Sequence, residues 1–388
     1  MRKSELSPMG FGFMRLPVNG MNLNKDKIFE MFKYSIDNGI NYFDTAWIYH
    51  RGNSEKILGE CIKKFDCRDS VNIATKLPSY MVDSREKMDY YFENQLKRLD
   101  TNYIDYYLLH ATDLNIFLRL EKLGIVEFMN KLKSSGKIRK MGFSFHGKKS
   151  DIKILIDKYD WDFIQLQYNI LDIEVEEEID YAASKKMEVL IMEPLRGGML
   201  ANDIPKSVEK LYQEDNSFDT PAQCAFSYVL NNKNVTCVLS AMSNIDHIIE
   251  NVSLAFKIQK DSLNENQLRL ISSIQKEYKS LLRVDCTGCA YCLPCPAKID
   301  IPSALKSLNN KSMFGKLNAM NYHFLTIGAR PENNKINFAR NCIECGKCEK
   351  VCPQSIDIIN QLKNVSRELE GPFTRFGYNV IKIFNKNK

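Results

Sequence analysis

Short apolar runs alternate with segments whose apolar positions recur at helical spacing through the first 258 residues. The runs cover 9–14, 41–44, 71–76, 104–110, 138–144, 163–167, 188–193 and 235–241. They are bounded by turn-forming residues and are short enough to be strands, and the segments between them are long enough to be crossover helices. Strands alternating with amphipathic helices make a parallel sheet with helices against it, because a parallel connection needs a crossover of that length.

Eight repeats of this unit predict a closed barrel, so the fold class is α/β with a (β/α)8 TIM-barrel architecture. A helix is predicted over 264–282, after which the sequence becomes rich in cysteine. The chain is therefore read as a barrel over 1–260 and a second domain over 261–388, mainly α-helical between its cysteine runs.

The chain is 44% hydrophobic and 26% charged, and it has no apolar run long enough to span a bilayer and no secretion signal at its start. These features predict a cytoplasmic protein with no stable membrane insertion, and nothing in them points to nucleic acid. The net charge of +6 is uneven: residues 261–388 hold 19 Lys/Arg against 11 Asp/Glu, and the first 260 hold 35 against 37. The surplus either balances anionic clusters or meets an acidic electron carrier such as a ferredoxin or flavodoxin, and the first reading is favoured.

In a barrel of this kind, chemistry gathers at the C-terminal ends of the strands. Several runs close on polar residues there: Asp44, Lys76, His110, Ser144, Gln167 and Glu193. Reducing a carbonyl requires an acid for the developing alkoxide. Tyr49 can serve if Lys76 lowers its pKa, Asp44 holds Lys76 charged, and His110 bonds the substrate oxygen. Asn41-Tyr-Phe-Asp44-Thr-Ala-x-x-Tyr49, Ala74-Thr-Lys76 and Asp105-Tyr-Tyr-Leu-Leu-His110 resemble the tetrad motifs of the aldo/keto reductases over roughly residues 7–255.

The resemblance implies a nicotinamide cofactor, NADP or NAD. It places Ser144 and Gln165 at the carboxamide, Pro194, Leu195 and Gly198 over the pyrophosphate, and Glu250 and Asn251 at the adenine. Three departures stand beside it. Phe145 replaces a frequent Asn, Met192 replaces a frequent aromatic ring, and the loop 240–247 lacks the Lys and Arg that grip a 2′-phosphate.

Of the 12 cysteines, Cys61, Cys67, Cys224 and Cys237 are scattered and are read as apolar filler. The other eight form two runs, Cys286-x2-Cys289-x2-Cys292-x2-Cys295-Pro and Cys342-x2-Cys345-x2-Cys348-x3-Cys352-Pro, each followed by x-x-Ile-Asp-Ile. Triplets closed by Cys-Pro predict two [4Fe-4S] clusters, and the Cys before Pro ligates the other cluster. One set is then Cys286, Cys289, Cys292 and Cys352, and the other Cys342, Cys345, Cys348 and Cys295; zinc in paired Cys-x2-Cys sites is the rival. The 46 residues between the runs make the segment resemble α-helical ferredoxins, and the whole chain resembles aldo/keto reductases with a C-terminal 4Fe-4S ferredoxin-type domain.

Two functions follow as expectations. One is an oxidoreductase reducing a small-molecule carbonyl with NAD(P)H, or oxidising the alcohol, with Tyr49 as general acid and the clusters carrying electrons. The alternative is an electron-transfer or redox-sensing protein whose barrel binds a ligand or partner. The apolar and basic segment 371–388 is expected to dock on one of the domains.

Overall fold

The computed structural model describes residues 5–20, 22–328 and 337–371, so the expected docking segment lies, beyond Gly371, outside the described residues. The strands are β1 (Met9–Gly12), β2 (Val18–Asn19), β3 (Asn22–Leu23), β4 (Tyr42–Asp44), β5 (Asn72–Leu77), β6 (Ile104–Thr112), β7 (Ile138–Phe145), β8 (Phe163–Gln167), β9 (Glu188–Met192) and β10 (Cys237–Ser240). Eight of them close into a parallel barrel in the order β1-β10-β9-β8-β7-β6-β5-β4. β2 and β3 form a separate antiparallel hairpin that the hydrophobic pattern does not announce, because two residues per strand are too few to show a period.

The strands read as continuous apolar runs because both of their faces are covered. Outward side chains such as Phe11, Phe43, Ile73, Leu109 and Ile164 meet the helices in the large core. Inward side chains form a second, smaller core of Tyr42, Ala74, Tyr106, Leu108, Phe163, Leu190, Cys237 and Leu239. Tyr106 meets Tyr42 and Phe163 edge-on, with ring centroids 5.0 and 5.1 Å away. At the N-terminal end of the barrel Glu188 takes a hydrogen bond from the Tyr106 hydroxyl at 2.9 Å and from Lys140 Nζ at 2.5 Å. The interior is thus plugged from below, and its candidate functional residues collect at the other end. Gly142 is required in this packing: a Cβ there would lie 2.5 Å from the Phe163 carbonyl oxygen.

The described chain divides into two compact units, residues up to 200 with 217–271, and 201–216 with 272 onward. The division falls inside the helix Glu265–Ser280. The second unit is built on Ile301–His323 and Ile358–Leu369, which bury Leu305, Leu308, Leu362 and Val365 together. Each cysteine run leads into one of these helices, and the shared Ile-Asp-Ile supplies the cap. Asp300 accepts from the Ser303 N–H and Asp357 from the Asn360 N–H, each at 3.2 Å. Gly315, with φ 81°, breaks the longer helix at a conformation that favours glycine. Among the described residues no helix is long and apolar enough to cross a membrane.

Candidate active site and cysteine sites

Asp44, Lys76, His110, Ser144 and Gln165 lie at or near the C-terminal ends of β4, β5, β6, β7 and β8, and all five are buried. Lys76 Nζ donates to Asp44 Oδ1 at 2.5 Å and to the Thr45 carbonyl at 2.7 Å. Burial pushes Asp44 up and Lys76 down toward their neutral forms, and their mutual attraction opposes both shifts. Asp44 Oδ2, His110 Nδ1 and Gln165 Oε1 are buried with no hydrogen-bond partner. A buried unpaired polar atom costs about 1–3 kcal/mol, so three at the ends of the alternate strands β4, β6 and β8 mark a place completed by a ligand.

Local backbone distortion accompanies these side chains. The β6–β7 ladder shifts register between Leu109 and Thr112, and Ala111 has φ 50°. The bulge turns the Ala111 N–H onto the Ser144 hydroxyl at 3.0 Å and sets His110 beside it. Burial, then Lys76 and His146, hold the His110 imidazole well below its ordinary pKa, so it is neutral.

Tyr49 begins the short turn Tyr49–Gly52, where His50 and Arg51 take φ of 47° and 58°. Its ring stands edge-on to His110 with centroids 5.8 Å apart, and Lys76 Nζ is 4.9 Å from the ring centre. Burial, followed by the Asp44 and Glu193 carboxylates, pushes the phenol above its ordinary pKa. Burial thus outweighs the lowering expected from Lys76, whose ammonium is held by Asp44 at 2.5 Å, and the resting phenol stays protonated.

The turn is held by residues that the sequence reading passed over. Arg98 stacks on Trp47 at 3.4 Å, donates to the Trp47 carbonyl at 3.2 Å and pairs with the fully buried Glu55 at 3.0 Å. Glu55 Oε1 also accepts from Thr75 and Gln95, and Gln95 Nε2 donates to the Lys76 carbonyl at 2.9 Å. One network thus braces the Tyr49 loop and the Lys76 strand. A signal was present, since Glu55 shares a helix with buried Leu58, Cys61 and Ile62. His50 joins in by accepting from the Leu16 N–H at 3.2 Å.

The remaining cofactor candidates are less uniform. Pro194 is buried, Leu195 and Gly198 are half-buried, and the loop turns through positive φ at Glu193, Arg196, Gly197 and Gly198. Arg15 donates to the Gly197 carbonyl at 2.7 Å, and Arg196 is buried; neither was singled out from sequence. Asn251 is buried and donates to Ser240 Oγ at 3.2 Å, while Glu250 accepts from Thr220 at 3.0 Å.

In the second unit the cysteines gather around two cavities. One, of about 150 Å³, is lined by Cys292, Cys295, Cys342, Cys345 and Cys348. The other is lined by Cys286, Cys289, Cys292 and Cys352. The two runs also repeat in backbone: Gly288 and Glu344, Ala290 and Gly346, and Lys298 and Ser355 are matched positions, all with positive φ. Each of these three pairs includes a non-glycine residue held at a cost, as at functional loops. Eight thiols of this kind suit iron-sulfur cubanes. Among the described residues no three His, Cys, Asp or Glu side chains are placed to hold a single metal ion. The four scattered cysteines are buried, and burial raises Cys61, Cys237 and, to about 11, Cys67.

His323, given no role from sequence, is fully buried and bonds Ser307 Oγ and Glu370 Oε1, each at 3.1 Å. Glu370 in turn accepts from the Ala339 N–H at 2.6 Å, tying down the turn that precedes Cys342.

Comparison with known proteins agrees with the barrel fold and the cysteine-rich second domain. The model of the aldo/keto reductase family matches residues 8–269, and that of the 4Fe-4S dicluster domain matches 285–356. The chain belongs to the aldo/keto reductase family and carries a 4Fe-4S dicluster domain. It is 32% identical over 205 residues to aldo-keto reductase YhdN of Bacillus subtilis, covering 50% of this chain and 60% of that relative's length. It is 26% identical to L-galactose dehydrogenase of Arabidopsis thaliana, covering 71% of this chain and 93% of that protein. Among solved structures, aldo-keto reductase AKR11C1 from Bacillus halodurans, in its holo form, superposes with a TM-score of 0.59 at 25% identity, over 71% of this chain and 95% of that one. An aldo-keto reductase from Klebsiella pneumoniae in complex with NADPH shares the fold, with a TM-score of 0.57 at 22% identity over 70% and 91%.

Proposed function

We propose that the chain is a cytoplasmic NAD(P)H-dependent oxidoreductase that reduces a small carbonyl substrate or oxidises the alcohol, with Tyr49 as general acid and two [4Fe-4S] clusters for electron transfer. The observation that carries this reading is the convergence of three buried, unpartnered atoms, Asp44 Oδ2, His110 Nδ1 and Gln165 Oε1, beside the Lys76–Asp44 pair.

Ser144 and Gln165 would hold the carboxamide, one through its hydroxyl and the other through its unpaired oxygen. The loop of Pro194, Leu195 and Gly198 would cover the pyrophosphate, and Glu250 and Asn251 would face the adenine. When bound, the reduced nicotinamide supplies a hydride. The neutral His110 orients the substrate oxygen, and Tyr49 passes its hydroxyl proton to that oxygen as negative charge develops. Lys76, fixed by Asp44, lends positive charge beside the phenol as it becomes a phenolate.

Cys286, Cys289, Cys292 and Cys352 would hold one cluster, and Cys295, Cys342, Cys345 and Cys348 the other; each supplies one-electron chemistry. The domains are then 1–260 and 261–388. Tyr49→Phe tests the proposal: carbonyl-dependent NAD(P)H oxidation should fall about 10²–10⁴-fold with cofactor binding retained. An unchanged rate would remove Tyr49 from the mechanism. The alternative of an electron-transfer or redox-sensing protein draws on Asn251, already engaged by Ser240; failure to bind either nicotinamide cofactor would favour it.

A further inference from the structure

The larger cysteine cavity opens among side chains that folding leaves uncovered. Tyr291, Ile343 and Val351 line it and are 69%, 64% and 48% exposed. Cys345, on the same cavity, is itself exposed. Apolar side chains of this size grouped around thiols are not explained by packing within the unit, and such patches mark sites of association.

Exposed positive charge outnumbers negative around this mouth. Glu344 is paired with Lys363 at 2.9 Å, and Glu349, which keeps its charge, is tied back by accepting from the Ile359 N–H at 2.8 Å. Lys347 lines the cavity, Lys350 adjoins Val351, Lys298 follows Pro296 by two residues, and all three are exposed.

We infer that this face, an apolar ring of Tyr291, Ile343 and Val351 fringed by Lys298, Lys347 and Lys350, docks a small acidic one-electron carrier protein at the cluster of Cys295, Cys342, Cys345 and Cys348. The inference rests on the cluster reading above. The transfer balances as one electron from the reduced carrier to one cubane, the carrier oxidised by one and the cluster reduced by one, with no bond or proton moved. Lysines steer the encounter, and the apolar ring excludes water where carrier and cluster meet.

The test uses the full chain with reconstituted clusters, an acidic [2Fe-2S] ferredoxin as donor, and reduced methyl viologen, a small cation, as control. Lys347→Glu with Lys350→Glu should slow cluster reduction by the ferredoxin at least about tenfold at low salt and flatten its salt dependence, with viologen reduction undiminished. Lys298→Glu, farther from the ligands, should slow it about threefold and guards against a local assembly defect in the double variant. Iron and sulfide contents are measured in parallel. An unchanged ferredoxin rate in cluster-replete variants would overturn the docking face. So would a variant that splits a dimer of this chain without altering that rate. Absence of iron and sulfide from the wild-type protein would instead strike the cluster reading itself.

Discussion

The barrel rim and the cysteine unit solve the placement of reactive groups in opposite ways. At the rim, five candidate side chains stand on five neighbouring strands whose positions are set by a core that contains none of them. In the cysteine unit, Cys286, Cys292, Cys295, Cys342, Cys348 and Cys352 pack against a small core and are part of what holds it. One site is shaped before any ligand arrives, and the other is shaped by residues that the ligand itself would bind. Folding and cofactor binding are therefore separate in the first region and coupled in the second.

Replacing a cysteine breaks the comparison most severely. Cys352→Ser should remove the same cluster signal as Cys289→Ser, and Cys295→Ser the same as Cys345→Ser, each with about half of the iron lost. Electron paramagnetic resonance of the reduced variants checks the pairing. If Cys352 and Cys345 instead shared a signal, the crossed assignment would be wrong. The barrel should keep its melting transition in all four variants.

Asp44→Asn should cost the barrel about 3–5 kcal/mol by leaving Lys76 buried without its partner, read from denaturant unfolding of the barrel transition. Arg98→Met should cost less, about 1.5–3 kcal/mol, because Arg98 is partly exposed while Glu55 is not. It should also lower kcat more than it raises KM, since it loosens the turn carrying Tyr49. Equal kcat with altered stability would make the network structural only.

The smallest effect is a pH dependence. His110 is held well below its ordinary value near 6.5, so the unfolded chain binds the extra proton first. Its contribution to stability is complete above that value and declines below it, by up to about 1.4 kcal/mol per pH unit. His110→Gln should flatten part of the loss between about pH 6.5 and 5, measured by chemical denaturation. A profile unchanged by the substitution would mean that His110 is not the group responsible.

Much of this was legible in the sequence, for physical reasons that vary by element. The eight barrel strands were readable because strands buried on both faces are apolar throughout, and their ends shifted by only a few residues: β1 stops at Gly12 and β10 at Ser240. The rim residues were readable because polar groups at strand ends interrupt those runs. The Ile-Asp-Ile repeat was visible, but its role as a helix cap shows only in the folded chain. Residues 201–216, which group with the second unit, carry no signal of that kind. The Glu55–Arg98–Gln95 network escaped because its members lie on two helices and meet only when the barrel closes. The direction of the Tyr49 shift escaped because burial outweighs a nearby ammonium that already has a partner.

Amide hydrogen exchange on the iron-free and the anaerobically reconstituted protein compares the two regions directly. The account predicts that amides around Cys286 to Cys295 and Cys342 to Cys352 gain protection on reconstitution, while those of β4 to β8, including Lys76 and His110, are unchanged. Equal protection of the cysteine segments with and without iron and sulfide would contradict it.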